Sequence, residues 1–243
     1  MTRTIDYDNR RRMVLAETIN RYIKNAAPVS SIDIAKDFGL SPATIRNIFS
    51  ELEGSGYLTH PHTSAGRIPT QKGYRYYVDL LNTEIELLDD EKNCVVRHYQ
   101  QEAQRLEDAL EKTSEVLSMI THYTSIVSFL EWHDKILYKG ISLALEQPEF
   151  QDMTRIRLLL KLLEEKESLL DIINRDFNEK VRVYIGHETG YEQMDNYSLV
   201  VSSYSVKNKP SGRLAVLGPV RMEYKHIIPA LEYVSDVLSD VLK

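Results

Sequence analysis

Two neighbouring residues, Arg46 and Asn47, carry the side chains best suited to reading the edges of base pairs. A guanidinium pairs bidentately with guanine and a carboxamide with adenine, each contact being worth about 1–3 kcal/mol of discrimination. Ser41, Thr44 and Ser50 stand in the same short stretch and add hydroxyls that reach base edges or phosphate oxygens. Further along, His62, Thr63, Ser64 and Arg67 offer donors suited to phosphate or to the minor groove, and Gly66 among them lets backbone come close. Lys72 and Arg75 follow as two more cations. Which of Arg46 and Asn47 reaches a base depends on how their helix is rotated, so the residue types alone leave both open.

Other chemistries find no constellation. His60 and His62 sit two apart and His122 and His133 lie far off, without a carboxylate or cysteine at metal-ligand spacing. Ser64 lacks the glycine two residues before it that a nucleophile elbow needs. Gly186, Gly190 and Gly212 form no phosphate-binding fingerprint, and the single cysteine, Cys94, excludes an internal disulfide. No catalytic residue, metal or cofactor is expected.

Something must hold these donors in place. Arg10 to Ala26 shows a helical apolar face of Met13, Leu15, Ala16, Ile19, Tyr22 and Ile23. Ser30 or Ser31 then caps a short helix containing Ile34, Ala35 and Phe38, which Gly39 ends. After this tight turn Ser41 can cap a third helix, with Pro42 in its first turn. Ile45, Phe49 and Leu52 recur there at steps of four and three, so they face a core and turn Thr44, Arg46, Asn47, Ser50 and Glu51 outward. Helix, short turn, helix is the arrangement that seats a recognition helix in the major groove. Tyr57-Leu58-Thr59 and Arg67-Ile68-Pro69 read as two short strands around a polar loop, a wing. Thr70 opens another helix, whose Tyr74, Tyr77, Val78 and Leu81 close the domain core.

Glu84 to Val127 contains no proline or glycine and reads as one long helix. Val96, Tyr99, Ala103, Leu106, Leu110, Thr113, Leu117, Ile120, Thr124 and Val127 alternate steps of three and four along it. That is the seam of a coiled coil, or of a helix lying against its own domain. A second helix is expected from Thr154 to Asn174, with Ile156, Leu159, Leu160, Leu163, Leu170 and Ile173 on one face. Strand-like runs follow at 181–185, 198–204 and 213–218, the last two as an antiparallel hairpin. A final helix carries Ile227 to Val241, with Pro229 expected in its first turn.

Composition fits a mildly basic head on an acidic body. Through Asp79, 11 Lys and Arg stand against 8 Asp and Glu; the remainder carries 19 against 28, so the total is -6. Such a protein turns one end toward phosphate. The start lacks the apolar core of a signal peptide, and no stretch approaches the roughly 20 apolar residues that span a bilayer. The expectation is therefore a cytoplasmic protein with no membrane contact.

Ser41-Pro-Ala-Thr-Ile-Arg-Asn47, Gly56-Tyr-Leu58, Pro61-His-Thr-Ser-Ala-Gly-Arg-Ile-Pro69 and Lys72-Gly-Tyr-Arg-Tyr-Tyr-Val-Asp79 together resemble the HrcA heat-inducible repressor family. The resemblance resumes at Leu145-Glu-Gln-Pro-Glu-Phe150, Val183-Tyr-Ile-Gly186 and Leu217-Gly-Pro-Val-Arg-Met222. It implies a homodimer that binds double-stranded DNA at an inverted-repeat operator of chaperone genes, with the chaperonin GroEL keeping the repressor active. It also implies a GAF-like domain, with an inserted dimerisation domain, behind the winged helix. Here only about eight residues separate Ile126-Val127 from Ile136-Leu137, where the family carries a large block, so the C-terminal region is abbreviated. Ile48 stands where the family usually has an acidic residue.

The fold expected is α+β and mainly α: a winged helix-turn-helix over 1–82, a long linking or dimerisation helix over 83–127, and a truncated GAF-like α/β domain over 128–243. Two rival functions are a ligand-sensing winged-helix regulator and a coiled-coil interaction protein that does not bind DNA.

Overall fold

A computed structural model of the chain describes residues 2–61, 66–81, 87–100, 106–131, 136–175, 179–207 and 209–243; of these, the side chains of 2–6, 98–100, 151 and 209–210 are not described. The chain divides into two compact units, Met1–Thr83 and Glu84–Lys243.

In the first unit the helices are α1 (Thr2–Asn25), α2 (Ser31–Phe38), α3 (Pro42–Gly54) and α4 (Gln71–Leu80), and strands β1 (Leu58–Thr59) and β2 (Ile68–Pro69) pair antiparallel between α3 and α4. Capping sets the boundaries. Ser30, Ser41 and Thr70 each accept a hydrogen bond from the backbone N–H three residues on, as N-caps do. Gly39 ends α2 at φ +60, a left-handed conformation that costs glycine nothing and lets the chain turn straight into α3. Val14, Leu15, Ile19, Ile34, Ile45, Ile48, Phe49, Leu52 and Leu58 form the core, and Tyr74, Tyr77 and Val78 close it from α4. Ile48 is fully buried, so it extends the apolar face of α3. Met13, expected on the buried face of α1, is 59% exposed; Val14 and Thr18 take the inward positions instead. Polar ties fix the helices: Tyr77 donates to Asn20 Oδ1 at 2.5 Å, and Arg21 to Asp37 at 2.5 Å.

The second unit is a five-stranded antiparallel sheet between helical layers. Its strands are β3 (Thr124–Phe129), β4 (Ile136–Lys139), β5 (Val181–Ile185), β6 (Tyr197–Val206) and β7 (Lys209–Pro219), in the order β4-β3-β7-β6-β5. Side chains alternate between its faces. Leu199, Val201, Ala215 and Leu217 meet Leu159, Leu162 and Leu163 of α8 (Met153–Glu164) and Leu169, Ile172 and Ile173 of α9 (Lys166–Ile173). The opposite face packs on α6 (Leu106–Thr121) and α10 (Tyr224–Val241), where Ser114 meets Ser125 at 2.8 Å and Ser202 meets Ser235 at 2.9 Å. Two of the stretches that carried the family resemblance meet here: Arg221, in the turn after β7, forks onto Glu149 and donates to Gln147 Oε1 at 3.1 Å.

Three expectations about this unit are corrected. The helix expected from Glu84 to Val127 is not continuous: α5 covers Asp89–Gln100 and α6 stops at Thr121, because His122 turns left-handed at φ +58 and Thr124–Phe129 becomes the central strand β3. Over Leu110 to Leu117 its apolar seam is not a free coiled-coil surface, whereas Val96 is 37% exposed. Leu110, Thr113 and Leu117 are fully buried against the sheet and α10 of their own unit, while Tyr99 and Ala103 lie outside the described side chains. The single helix expected over 154–174 breaks at Glu165 (φ -79, ψ 63) into α8 and α9; the corner lets both apolar sets reach the sheet with Glu164 outside, and Leu160 stays 41% exposed. Pro229 lies beyond the first turn of α10, where it withholds a donor from the carbonyl of Lys225.

The abbreviation itself is closed simply. β3 pairs directly with β4, Ser128 opposite Ile136, so the short connection joins neighbouring antiparallel strands, and α7 (Ile141–Leu145) follows β4.

Tyr197 shows how tightly this interior is sealed. Its hydroxyl donates to the Arg155 carbonyl at 2.9 Å, and burial pushes the phenol up to about 12. The folded state thus favours the neutral phenol, and its contribution is intact below the ordinary tyrosine value of about 10 and lost as pH rises toward 12. Tyr197→Phe is expected to flatten the fall in stability over that window, by up to ~1.4 kcal/mol per pH unit. Denaturant melts at a series of alkaline pH values measure it; an unchanged slope would reject the assignment.

Candidate nucleic-acid interface

Burial fixes the rotation of α3. With 3.6 residues per turn and Ile45, Ile48, Phe49 and Leu52 inside, Ala43, Asn47, Ser50 and Gly54 point most directly outward, and all are exposed. The flanks are told apart by their contacts. On one, Glu51 accepts from the Tyr7 hydroxyl at 2.8 Å and lies 3.9 Å from Arg11, both on α1. That hydrogen bond raises the Tyr7 phenol above its ordinary value. On the other flank Glu53 meets the wing, pairing with Arg67 at 2.9 Å and with His60; Arg46 lies on the same flank about two turns earlier.

The expected site residues divide accordingly. Ser41 Oγ accepts the Thr44 N–H at 3.1 Å and meets Thr44 Oγ1 at 2.8 Å, so these two hydroxyls build the amino end of α3. Arg46 is exposed and donates from Nε back to the Pro42 carbonyl at 3.2 Å; Asn47 and Ser50 are exposed. Arg67 is half-buried at the wing's neck, with its backbone bonded both ways to Val29 at 2.9 Å. Gly66 is required there by close approach, since a Cβ would stand 2.5 Å from the Val29 carbonyl oxygen. Lys72 donates to the Ser55 carbonyl at 2.9 Å and lies 4.7 Å above the Tyr57 ring, and Arg75 pairs with Asp79 at 3.5 Å. His62, Thr63 and Ser64 lie outside the described residues.

Glu53 escaped the residue-type reading because acidic groups look foreign to a phosphate-binding face; Glu51 was placed outward, and its tie to α1 is what the structure adds. The signal was positional: Glu53 falls on the same flank as Arg46, next to the strands that follow.

In the second unit a cleft lined by Glu164, Glu165, Lys166, Glu167, Ser168 and Leu170 opens at the α8–α9 corner. Its charged lining on exposed helix ends suits solvent. Among the described residues, no cluster of three or more His, Cys, Asp or Glu could hold a metal ion, and no helix is long and apolar enough to cross a membrane.

A capped, outward-facing helix behind a tight turn, with a two-stranded wing beside it, defines a winged helix-turn-helix transcription regulator. Comparison with known proteins gives the family. Residues 7–84 match the model described as winged helix-turn-helix transcription repressor, HrcA DNA-binding, and residues 128–228 match that described as HrcA protein C terminal domain. The chain belongs to the HrcA family of transcription repressors, which are not enzymes.

Proteins named heat-inducible transcription repressor HrcA are similar along nearly the whole chain. That of Pelotomaculum thermopropionicum is 29% identical over 337 aligned positions, covering 97% of this chain and 97% of that protein; that of Geobacter sulfurreducens is 28% identical over 338 positions, covering 98% and 99%. Both alignments are longer than the 243 residues of this chain, so the relatives carry residues with no counterpart here. A crystal structure titled only as a hypothetical protein at 2.2 Å resolution shares the fold, with a TM-score of 0.80 and 21% identity over 96% of this chain and 98% of that one.

Proposed function

We propose that this chain represses heat-inducible genes in the cytoplasm by seating α3 in the major groove of an inverted-repeat operator, two copies reading the two half-sites. The observation that carries the reading is the outward stripe of α3, on which Asn47 and Ser50 stand clear of the core while Arg46 flanks them on the wing side. Asn47 and Arg46 read base edges; Ser41, Thr44, Lys72 and Arg75 hold phosphate, with His62, Thr63, Ser64 and Arg67 serving the backbone or the minor groove beside them. The family resemblance read from the sequence implies chaperone operons as targets and GroEL as the partner that sets activity.

Binding to a labelled inverted repeat tests this directly. Because each neutralised phosphate releases counterions, log affinity is expected to fall linearly with log salt at about 0.9 per contact, so raising salt from about 50 to 200 mM costs at least about a hundredfold. A flat salt response would rule out the phosphate contacts. Two copies per repeat, with half-sites about 34 Å apart or a multiple of it, is the expected stoichiometry in sedimentation and footprinting.

A further inference from the structure

The reading helix has a neighbour on each flank. A helix with its side chains is about 10–12 Å across and the major groove about 12 Å wide, so a seated α3 fills the groove and whatever stands beside it meets the phosphates of one wall or the other. On one side stands the wing, tied to Glu53 through Arg67 and His60. On the other stands α1, tied to Glu51 by the Tyr7 hydroxyl at 2.8 Å and by Arg11 at 3.9 Å.

This stretch of α1 carries Arg10, Arg11 and Arg12, the densest run of positive charge in the first unit, with Asp8 exposed one turn before Arg12. Residue type alone nominated other cations, and these are engaged inside the unit: Lys72 with the Ser55 carbonyl, Arg75 with Asp79 and Arg67 with Glu53. Arg12 is exposed and Arg10 half-buried. The bond to Glu51 raises the Tyr7 phenol while Arg11 and Arg10 both pull it down, so the charge of the run lies close to this flank. Successive side chains on a helix are turned by about 100°. With Arg11 directed at α3, Arg10 and Arg12 are turned to its two sides, and one of them comes round to the side on which α3 faces outward.

We infer that the Arg10-Arg11-Arg12 run grips the DNA backbone on the wall of the groove opposite the wing, with Glu51, Tyr7 and Arg11 forming the joint that holds α1 there. The inference rests on the proposed seating of α3. A contact of this kind carries no sequence information; it adds affinity on any duplex and fixes how the reading helix enters the groove.

The test compares wild type, Arg10→Gln/Arg12→Gln and Lys24→Gln as full chains, by fluorescence anisotropy on the inverted repeat and on a scrambled duplex, from about 50 to 200 mM salt. The double variant removes whichever neighbour faces the strand and leaves the Arg11–Glu51 tie. It is expected to bind both DNAs about three- to tenfold more weakly and to flatten the slope of log affinity against log salt by about 0.9, which narrows the loss over that salt range about three- to fourfold. Arg10→Lys/Arg12→Lys should recover the slope. Lys24, exposed in the last turn of α1, lies at the far end of the helix, and Lys24→Gln should bind as wild type does. An unchanged slope in a folded double variant overturns the inference, as does a loss confined to the operator or a comparable loss in Lys24→Gln. Phosphate ethylation interference with wild type needs no variant: it should mark phosphates on both walls of each half-site, and marks on one wall alone overturn the inference as well. Failure of wild type to bind the repeat would instead strike the proposed function beneath it.

Discussion

Replacing Arg213 by methionine is expected to lower the melting temperature of the C-terminal unit by about 10 °C, at ~2–4 °C per kcal/mol for a unit of this size. The side chain is fully buried on β7, yet it is a cation. Its Nε donates to the Ile173 carbonyl at 2.9 Å, Nη2 to the Arg175 carbonyl at 2.7 Å and Nη1 to Ser203 Oγ at 2.5 Å. Ile173 ends α9, so the guanidinium satisfies carbonyls that a helix leaves open at its carboxyl end, where the macrodipole favours a positive charge. Methionine keeps much of the volume but donates nothing. Each orphaned buried acceptor costs about 1–3 kcal/mol, giving ~3–5 kcal/mol in sum. Calorimetry resolves this if the transition of the Met1–Thr83 unit serves as an internal reference. A shift of under about 3 °C would mean the interior is satisfied without Arg213.

Asn47→Ala is expected to cut the preference for operator over scrambled DNA by about 10- to 100-fold, while nonspecific affinity changes by less than about twofold. The reason is its place at the centre of the outward stripe, with Ser50 a turn away and Gly54 beyond, so that little stands between the helix backbone and a groove floor. With α3 seated as proposed, a carboxamide there would reach a single base pair bidentately. Competition with half-sites altered one base pair at a time should therefore show relaxed selectivity at one position. Equal losses on operator and scrambled DNA would reassign Asn47 to backbone contact. Arg46→Ala is expected to lower operator preference in the same sense, since the proposed function gives its guanidinium a base edge as well.

The head was legible from sequence because its signals are local. Ser30, Ser41 and Thr70 cap as serine and threonine do, Gly39 and Pro42 punctuate as their backbones require, and Ile45, Phe49 and Leu52 declare the buried face. What the local code omitted was Glu53, whose meaning appears only once the strands after α3 fold back beside it. In the body, a periodicity of three and four ran on by coincidence from α6 into Thr124 and Val127, and the β-branched run Thr124-Ser-Ile-Val-Ser-Phe129 was the competing signal that prevailed. Non-local sheet pairing decided between them, as it did at the Glu165 corner, where both apolar sets had to meet one surface.

The buried stripe of α6 has a consequence for how the fold responds to dilution. A subunit whose interior is completed by a twin melts at a temperature set by dilution, since losing the twin and losing the fold are one event. Here Leu110 and Leu117 are sheltered by strands and a helix of the same polypeptide. Dilution is therefore expected to leave the melting of this layer unchanged, whether or not two copies meet on the proposed operator.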